Sequence, residues 1–200
     1  GITDVSVLGS TAATTVNNVP VGTSLGISDT TQDITIGSSG ATGGADAASV
    51  ELASVTGAAD VSLAGIEAIT INSIAANSID LVAVDAETLT LTGDSAITIG
   101  NMNTSGATEI HTIDASGSTG AVTLTTGNLS QVAPSQDVTI TGSTAADDFD
   151  VSGHTTSDLS VSGGAGNDRV TAAPGAGDTL SGGDGTDTLE LTAAVAAPNA

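Results

Sequence analysis

The sequence predicts an all-β fold, a parallel β-solenoid, and three observations predict it. Apart from a few wider gaps, short apolar-x-apolar triplets recur along the chain at intervals of about 8 to 16 residues. Large rings are almost missing, with one Phe and no Trp or Tyr in 200 residues. Near the C-terminal end, glycine and aspartate fall into a nine-residue pattern that occurs twice in full.

The triplets begin at Ile34-Thr35-Ile36, Val50-Glu51-Leu52 and Val61-Ser62-Leu63, then Ile69-Thr70-Ile71, Leu89-Thr90-Leu91 and Ile97-Thr98-Ile99. They continue with Val122-Thr123-Leu124, Val138-Thr139-Ile140, Phe149-Asp150-Val151, Leu159-Ser160-Val161 and Leu189-Glu190-Leu191. Alternation with period two is the signature of a strand that buries one face, and Gly, Asn, Asp or Ser punctuates nearly every gap. No segment sustains a helical apolar stripe. Two triplets span about 18 to 22 residues, the length of one solenoid coil. Ten or so such coils stacked at roughly 4.8 Å would make a rod roughly 45 to 50 Å long. Opposed sheets about 10 Å apart leave room for Val, Ile, Leu and Ala but little for rings. An antiparallel β-sandwich shares the strand spacing and is the competing architecture.

The chain divides into four stretches on this reading. Residues 1–48 form an irregular β segment, either a small separate module or degenerate first turns. Residues 49–141 are the regular solenoid, 142–192 hold the glycine-aspartate repeats, and 193–200 read as a frayed tail. Gly37 to Gly44 has the small, polar composition of a flexible connector. The start lacks an initiator Met and a charged segment followed by an apolar core, so the chain reads as a processed or excised piece of something longer.

Composition excludes many functions. Twenty-three acids face a single cation, Arg169, for a formal charge of −22. Such a surface repels nucleic acid and anionic lipid, and no apolar run is long enough for membrane insertion. Without Lys or Cys there is no Schiff-base lysine, thiol nucleophile, zinc-thiolate centre or disulfide. Eighteen of the acids are Asp and five are Glu, a bias that suits turns and hard-cation ligation. Gly22-Thr23-Ser24-Leu25-Gly26 fits a nucleophile-elbow pattern, but turn residues and another strand follow it instead of the required helix. His111 and His154 lack the close partner of a zinc site and read as surface or turn residues, while Phe149 and Met102 read as core fillers. Asn103-Thr104-Ser105 and Asn128-Leu129-Ser130 are formal glycosylation sequons. No catalytic residues emerge, and the chain is not expected to be an enzyme.

Residues 163–171, Gly-Gly-Ala-Gly-Asn-Asp-Arg-Val-Thr, match G-G-x-G-x-D-x-U-x, where U is apolar, at every specified position. So do residues 182–190, Gly-Gly-Asp-Gly-Thr-Asp-Thr-Leu-Glu. Between them Ala173-Pro174-Gly175-Ala176-Gly177-Asp178-Thr179-Leu180-Ser181 is a degenerate copy, with Pro174 at a glycine position. Upstream, Gly142-Ser143-Thr144-Ala145-Ala146-Asp147-Asp148-Phe149-Asp150 replaces two glycines with Ser and Ala. Glycine permits a tight turn that aims main-chain carbonyls at one point, and Asp adds a carboxylate oxygen, a donor set suited to Ca2+. Metal binding and coiling should then be one coupled event.

These repeats resemble the RTX repeats of bacterial type I secreted proteins, which implies a right-handed parallel β-roll (a β-helix variant) with calcium between turns. By that resemblance Gly164, Gly166 and Asp168 of one turn would share an ion with Gly182, Asp184 and Asp187 of the next on the same side. Asp147 would share another with the carbonyls of Gly163 and Ala165 and with Asp168. Asp178 is a further candidate ligand. A 19-residue spacing between the full copies replaces the regular 18. Gly65-Ile66-Glu67-Ala68-Ile69-Thr70-Ile71 and Ile113-Asp114-Ala115-Ser116-Gly117 are similar to elements of RTX-type S-layer proteins. That similarity implies a secreted structural subunit of a cell-surface lattice, with copies of itself and cell-surface polysaccharide as partners and Ca2+ driving folding and assembly. A stiffened module of a large RTX adhesin and the secretion cassette of an RTX exoenzyme are the alternatives.

Overall fold

The computed structural model describes residues 2–41, 43–83, 85–103, 110–125, 136–154 and 157–192. In chain order the strands are β1 (Asp4–Leu8), β2 (Thr14–Pro20), β3 (Ser24–Thr30), β4 (Ile34–Ser39), β5 (Ala47–Val55) and β6 (Ala59–Ala64). Next come β7 (Ala68–Ser73), β8 (Asn77–Val82), β9 (Thr88–Gly93), β10 (Ile97–Asn103), β11 (Thr112–Ser118) and β12 (Val122–Thr125). The last are β13 (Val138–Thr141), β14 (Asp148–Asp150), β15 (Leu159–Ala165), β16 (Arg169–Ala172), β17 (Thr179–Asp184) and β18 (Thr188–Leu191). The described residues contain no helix.

Odd-numbered strands form one nine-stranded sheet in the order of the chain, and even-numbered strands form the other. The chain crosses from sheet to sheet at every corner and returns one strand further along. Each strand therefore pairs in parallel with the strand two places before it, as Leu25↔Val50 and Ile71↔Leu91 show. This is a two-sheet parallel β-solenoid of about eight turns, roughly 40 Å long at about 4.8 Å per step. The antiparallel sandwich is excluded, because the strand ladders are parallel throughout.

The alternating pattern does what it predicts. In β9 Leu89 and Leu91 are buried and the threonines between and beside them face outward. Stacking brings like residues together in columns. Leu25, Val50, Ile71 and Leu91 line one wall, while Ile99, Leu124, Phe149 and Val170 line the other. Each fully buried aliphatic side chain contributes about 1.5 to 3 kcal/mol. Phe149 and Met102 are core residues, at 0% and 2% exposure.

The irregular first residues are not a separate module in their pairing. β1 and β3 begin the odd sheet, and β2 and β4 begin the even one. Their weaker pattern reflects interrupted register, as between Val16 and Val19 where the β2 ladder slips. Gly37, Ser38 and Ser39, expected in a connector, belong to β4 because Gly37 pairs with Ala64 of β6 and Ser38 and Ser39 pair with Val19 and Pro20 of β2. The tail 193–200 and the sequon Asn128-Leu129-Ser130 lie outside the described residues, as do Thr104 and Ser105 of the other sequon.

Candidate metal centre

One corner of the coil, where the chain leaves an odd strand and starts the next even one, carries the same design from turn to turn. On its near side lies a column of small residues, Ser73, Gly93, Ser118, Ser143, Gly164 and Gly183, joined by ladder pairing and cross-turn hydrogen bonds. Four residues further along, in four of these turns, stands a polar side chain at or just before the start of the even strand: Asn77, Asp147, Asp168 and Asp187. All three aspartates are the Asp of a nonapeptide copy.

Each of these aspartates reaches back to the preceding turn. The Asp168 N–H donates to Asp187 Oδ1 at 3.0 Å, the Asp147 N–H to Asp168 Oδ1 at 2.8 Å, and the Val122 N–H to Asp147 Oδ1 at 2.7 Å. The carboxylates thus stitch successive turns together through one oxygen each. The other oxygens differ. Asp147 Oδ2 accepts the Ser143 N–H at 2.6 Å, and Oδ1 accepts the Ser143 hydroxyl at 2.8 Å. Asp168 Oδ2 has no hydrogen-bond partner although Asp168 is only 2% exposed. It is one of two such orphaned side-chain oxygens among the described residues, with Thr171 Oγ1.

The space beside that orphan is kept open by a missing side chain. A Cβ at Gly163 would collide with both Asp168 Oδ2 and the carbonyl oxygen of Gly182 from the next turn. A Cβ at Gly142 would likewise meet the Gly163 carbonyl and Asp147 Oδ2, and one at Gly182 would meet Asp187 Oδ2. The second glycines set the path of the turn. Gly164 (φ 101°) and Gly183 (φ 100°) occupy a region that L side chains rarely adopt, whereas Ser143 does not.

Burial, the largest influence, raises the pKa of both Asp147 and Asp168 above the ordinary carboxylate value. The hydrogen bonds from Val122 and Ser143 work against this at Asp147, and the bond from Asp147 does so at Asp168. The neighbouring aspartate in the column adds to the rise in each case. Orphaned carboxylate oxygen, converging carbonyl and like-charge stacking together fit a hard cation that takes oxygen ligands. Among the described residues no three acidic or imidazole side chains gather round one point, so any such ion here would rest on main-chain oxygens with one carboxylate per turn.

The structure brings some of the sequence-derived ligands together and separates others. Asp168, Gly163 and Gly182 share the cradle just described. The carbonyls of Gly164 and Gly166 lie under Gly183 and Gly185 of the next turn, and the Asp184 carbonyl accepts the Gly166 N–H at 2.8 Å. The Ala165 N–H donates to the Ser143 carbonyl at 3.1 Å. Asp178 stands at the opposite corner, before β17, where it accepts the N–H groups of Leu159 at 2.8 Å and Gly175 at 2.6 Å. There Gly177 closes on the carboxylate of Asp158, a residue with no role in the repeat pattern. Ser143, seen in the sequence as a mere departure from glycine, turns out to be a principal partner of Asp147. His154, expected at a surface or turn, is in a turn but 2% exposed, with Nε2 3.0 Å from the Ser157 carbonyl oxygen. Ser24 of the Gly22–Gly26 stretch is an exposed residue at the start of β3, which pairs with β1 and β5, and no helix follows it.

The sole cation crosses three turns. Arg169 on β16 pairs with Asp148 of β14 at 3.1 Å and Glu190 of β18 at 2.6 Å. No protein-family model matches the chain, and no curated protein matches it.

Proposed function

We propose that this chain is a calcium-stiffened structural segment of a secreted bacterial cell-surface protein, an S-layer subunit, and not an enzyme. The solenoid fold fits a repeat-type structural or secreted protein. One observation supports calcium above the rest: Asp168 Oδ2, buried and without a partner, faces the Gly182 carbonyl across the space left by Gly163. Asp168, Asp187 and the carbonyls of the glycine turns would hold Ca2+, and the ion would supply the positive charge that a stack of carboxylates, buried at Asp147 and Asp168 and exposed at Asp187, lacks.

Assembly follows from the same electrostatics. A net charge of −22 keeps copies apart until divalent cations screen or bridge them. Circular dichroism with light scattering during a calcium titration, with magnesium as control, tests both steps. A calcium-specific gain of β signal with rising scatter is expected. Ordering without scatter would replace the lattice subunit with an isolated stalk or secretion cassette, and no response would end the calcium reading. Electron microscopy of the full-length parent with calcium would show a regular array, and dispersed particles would refute the lattice.

A further inference from the structure

We infer that Ser143 closes the Asp147 turn to cations, so that metal dependence begins one turn later, at Asp168; this rests on the calcium reading above. The nonapeptide pattern treats Asp147 and Asp168 as equivalent, and both occupy the same corner position. Their oxygens are in opposite states. Asp147 receives three donors from the protein, the N–H of Val122 and both the N–H and hydroxyl of Ser143. A carboxylate offers about four lone-pair sites, and the partial positive charges of those three donors stand where a cation would have to approach. Asp168 receives one donor, and its second oxygen receives none.

The backbone makes the same distinction. Gly164 and Gly166 hold φ of 101° and 130°, and Gly183 and Gly185 hold 100° and 137°. Ser143 and Ala145, at the corresponding places, are not left-handed, so the Asp147 turn follows a different path from the two full copies. It follows that of earlier corners instead. The hydroxyls of Ser73 and Ser118 lie within reach of the carbonyl two residues on, at Ala75 (3.1 Å) and Gly120 (3.0 Å), and the Ser143 oxygen stands over the Ala145 carbonyl in the same way (3.4 Å) while its one proton goes to Asp147 at 2.8 Å. Ser143 therefore repeats the serine corners of Ser73 and Ser118, between which Gly93 (φ 109°) is a glycine corner with no aspartate, and Gly164 begins the glycine corners that carry one. The Asp147 turn serves as a ready-made template on which the metal-coupled turns fold.

Calcium bound per full chain, counted by equilibrium dialysis and calorimetry, tests this. Asp147→Asn, which preserves shape and an acceptor for Val122, should leave the count unchanged, while Asp168→Asn should lower it. Ser143→Gly with Ala145→Gly completes the G-G-x-G-x-D pattern and should raise the count by one. Loss of an ion in Asp147→Asn, or an unchanged count in a folded double variant, would overturn the inference. Hydrogen exchange of the native chain in chelator supplies a readout that needs no variant. The amides of Val122 and Ser143 should exchange on the order of tenfold or more slowly than those of Asp147 and Asp168, and equal rates would count against the distinction. A native chain that binds no calcium would instead sink the calcium reading itself, and this inference with it.

Discussion

The corner before β8 and the corner before β16 occupy the same place on the coil and solve the same problem with opposite chemistry. At the first, Asn77 Oδ1 accepts the Val55 N–H at 2.8 Å, while Nδ2 donates to Leu52 O, Ser73 Oγ and Ala75 O at 3.1, 2.8 and 2.6 Å. A neutral amide, 5% exposed, is thus satisfied on both ends by its own and the preceding turns. At the second, Asp168 makes the corresponding cross-turn bond to Asp147 but brings a charge and an unpartnered oxygen. An amide corner is complete at synthesis; a carboxylate corner asks for something from solution. On the calcium proposal, the difference makes one solenoid autonomous along most of its length and conditional at one end.

The comparison can be broken most directly by removing calcium. With a chelator, residues 163–192 should lose hydrogen-exchange protection while β5 to β13 keep theirs; uniform loss or uniform retention would erase the contrast. Next in size are substitutions of the carboxylates. Asp168→Ala and Asp187→Ala should each lower calcium affinity by about tenfold or more and loosen the last turns, whereas Asp29→Ala should do neither. Titration calorimetry on the three variants compares them, and equal effects would count against the ligand assignment. Asn77→Ala strands the buried Val55 N–H, at a cost of about 1 to 3 kcal/mol to global stability, while the Leu52 carbonyl keeps the Ile74 N–H. Denaturant melts with and without calcium should show that loss unchanged by the ion.

A pH series gives a smaller effect. Because burial raises the native pKa of Asp147 and Asp168, the folded form holds their protons more tightly than the unfolded chain. Their contribution is fully present below the ordinary value of 3.8 and fades as pH rises through the raised native values. Calcium-free protein should therefore protect its last turns better in mild acid than at neutral pH, and Asp168→Asn should flatten that slope. Calcium should reverse it, since ligation needs the ionised carboxylate. The smallest change is Arg169→Gln. Its pairs with Asp148 and Glu190 are about half exposed and screened by solvent, so thermal melts should barely move.

Much of the fold was legible because burial in a narrow coil imposes a local period. Ile69-Thr70-Ile71 states its own orientation without reference to any other part of the chain. Less was legible where the ladder, not the pattern, decides. Gly37, Ser38 and Ser39 look like linker and become strand only because β6 pairs with Gly37 and β2 with Ser38 and Ser39. At the candidate site, the nonapeptide located Asp168 and Asp187 from glycine spacing alone. It could not say how many lone pairs of Asp147 were already taken, because one donor, Val122, lies 25 residues upstream and another is the serine that breaks the pattern. Asn77 carries no motif at all, and its role is visible only once Val55 is known to sit one turn below it.

The spacing between stacked partners is elastic, 19 residues from Asp168 to Asp187 and 25 from Val122 to Asp147, yet the inward columns stay in line. Corners absorb most of the variation, and β2, β10 and β11 each take up one residue as a bulge in the ladder. Length in this molecule is therefore quantised: excision or duplication of a whole turn reconnects like ladders, whereas one residue added inside a strand turns its apolar side to water unless a bulge takes it up, as in β2, β10 and β11. A gene encoding such a coil can be lengthened or shortened in units of a full winding, like a ruler cut only at its marks.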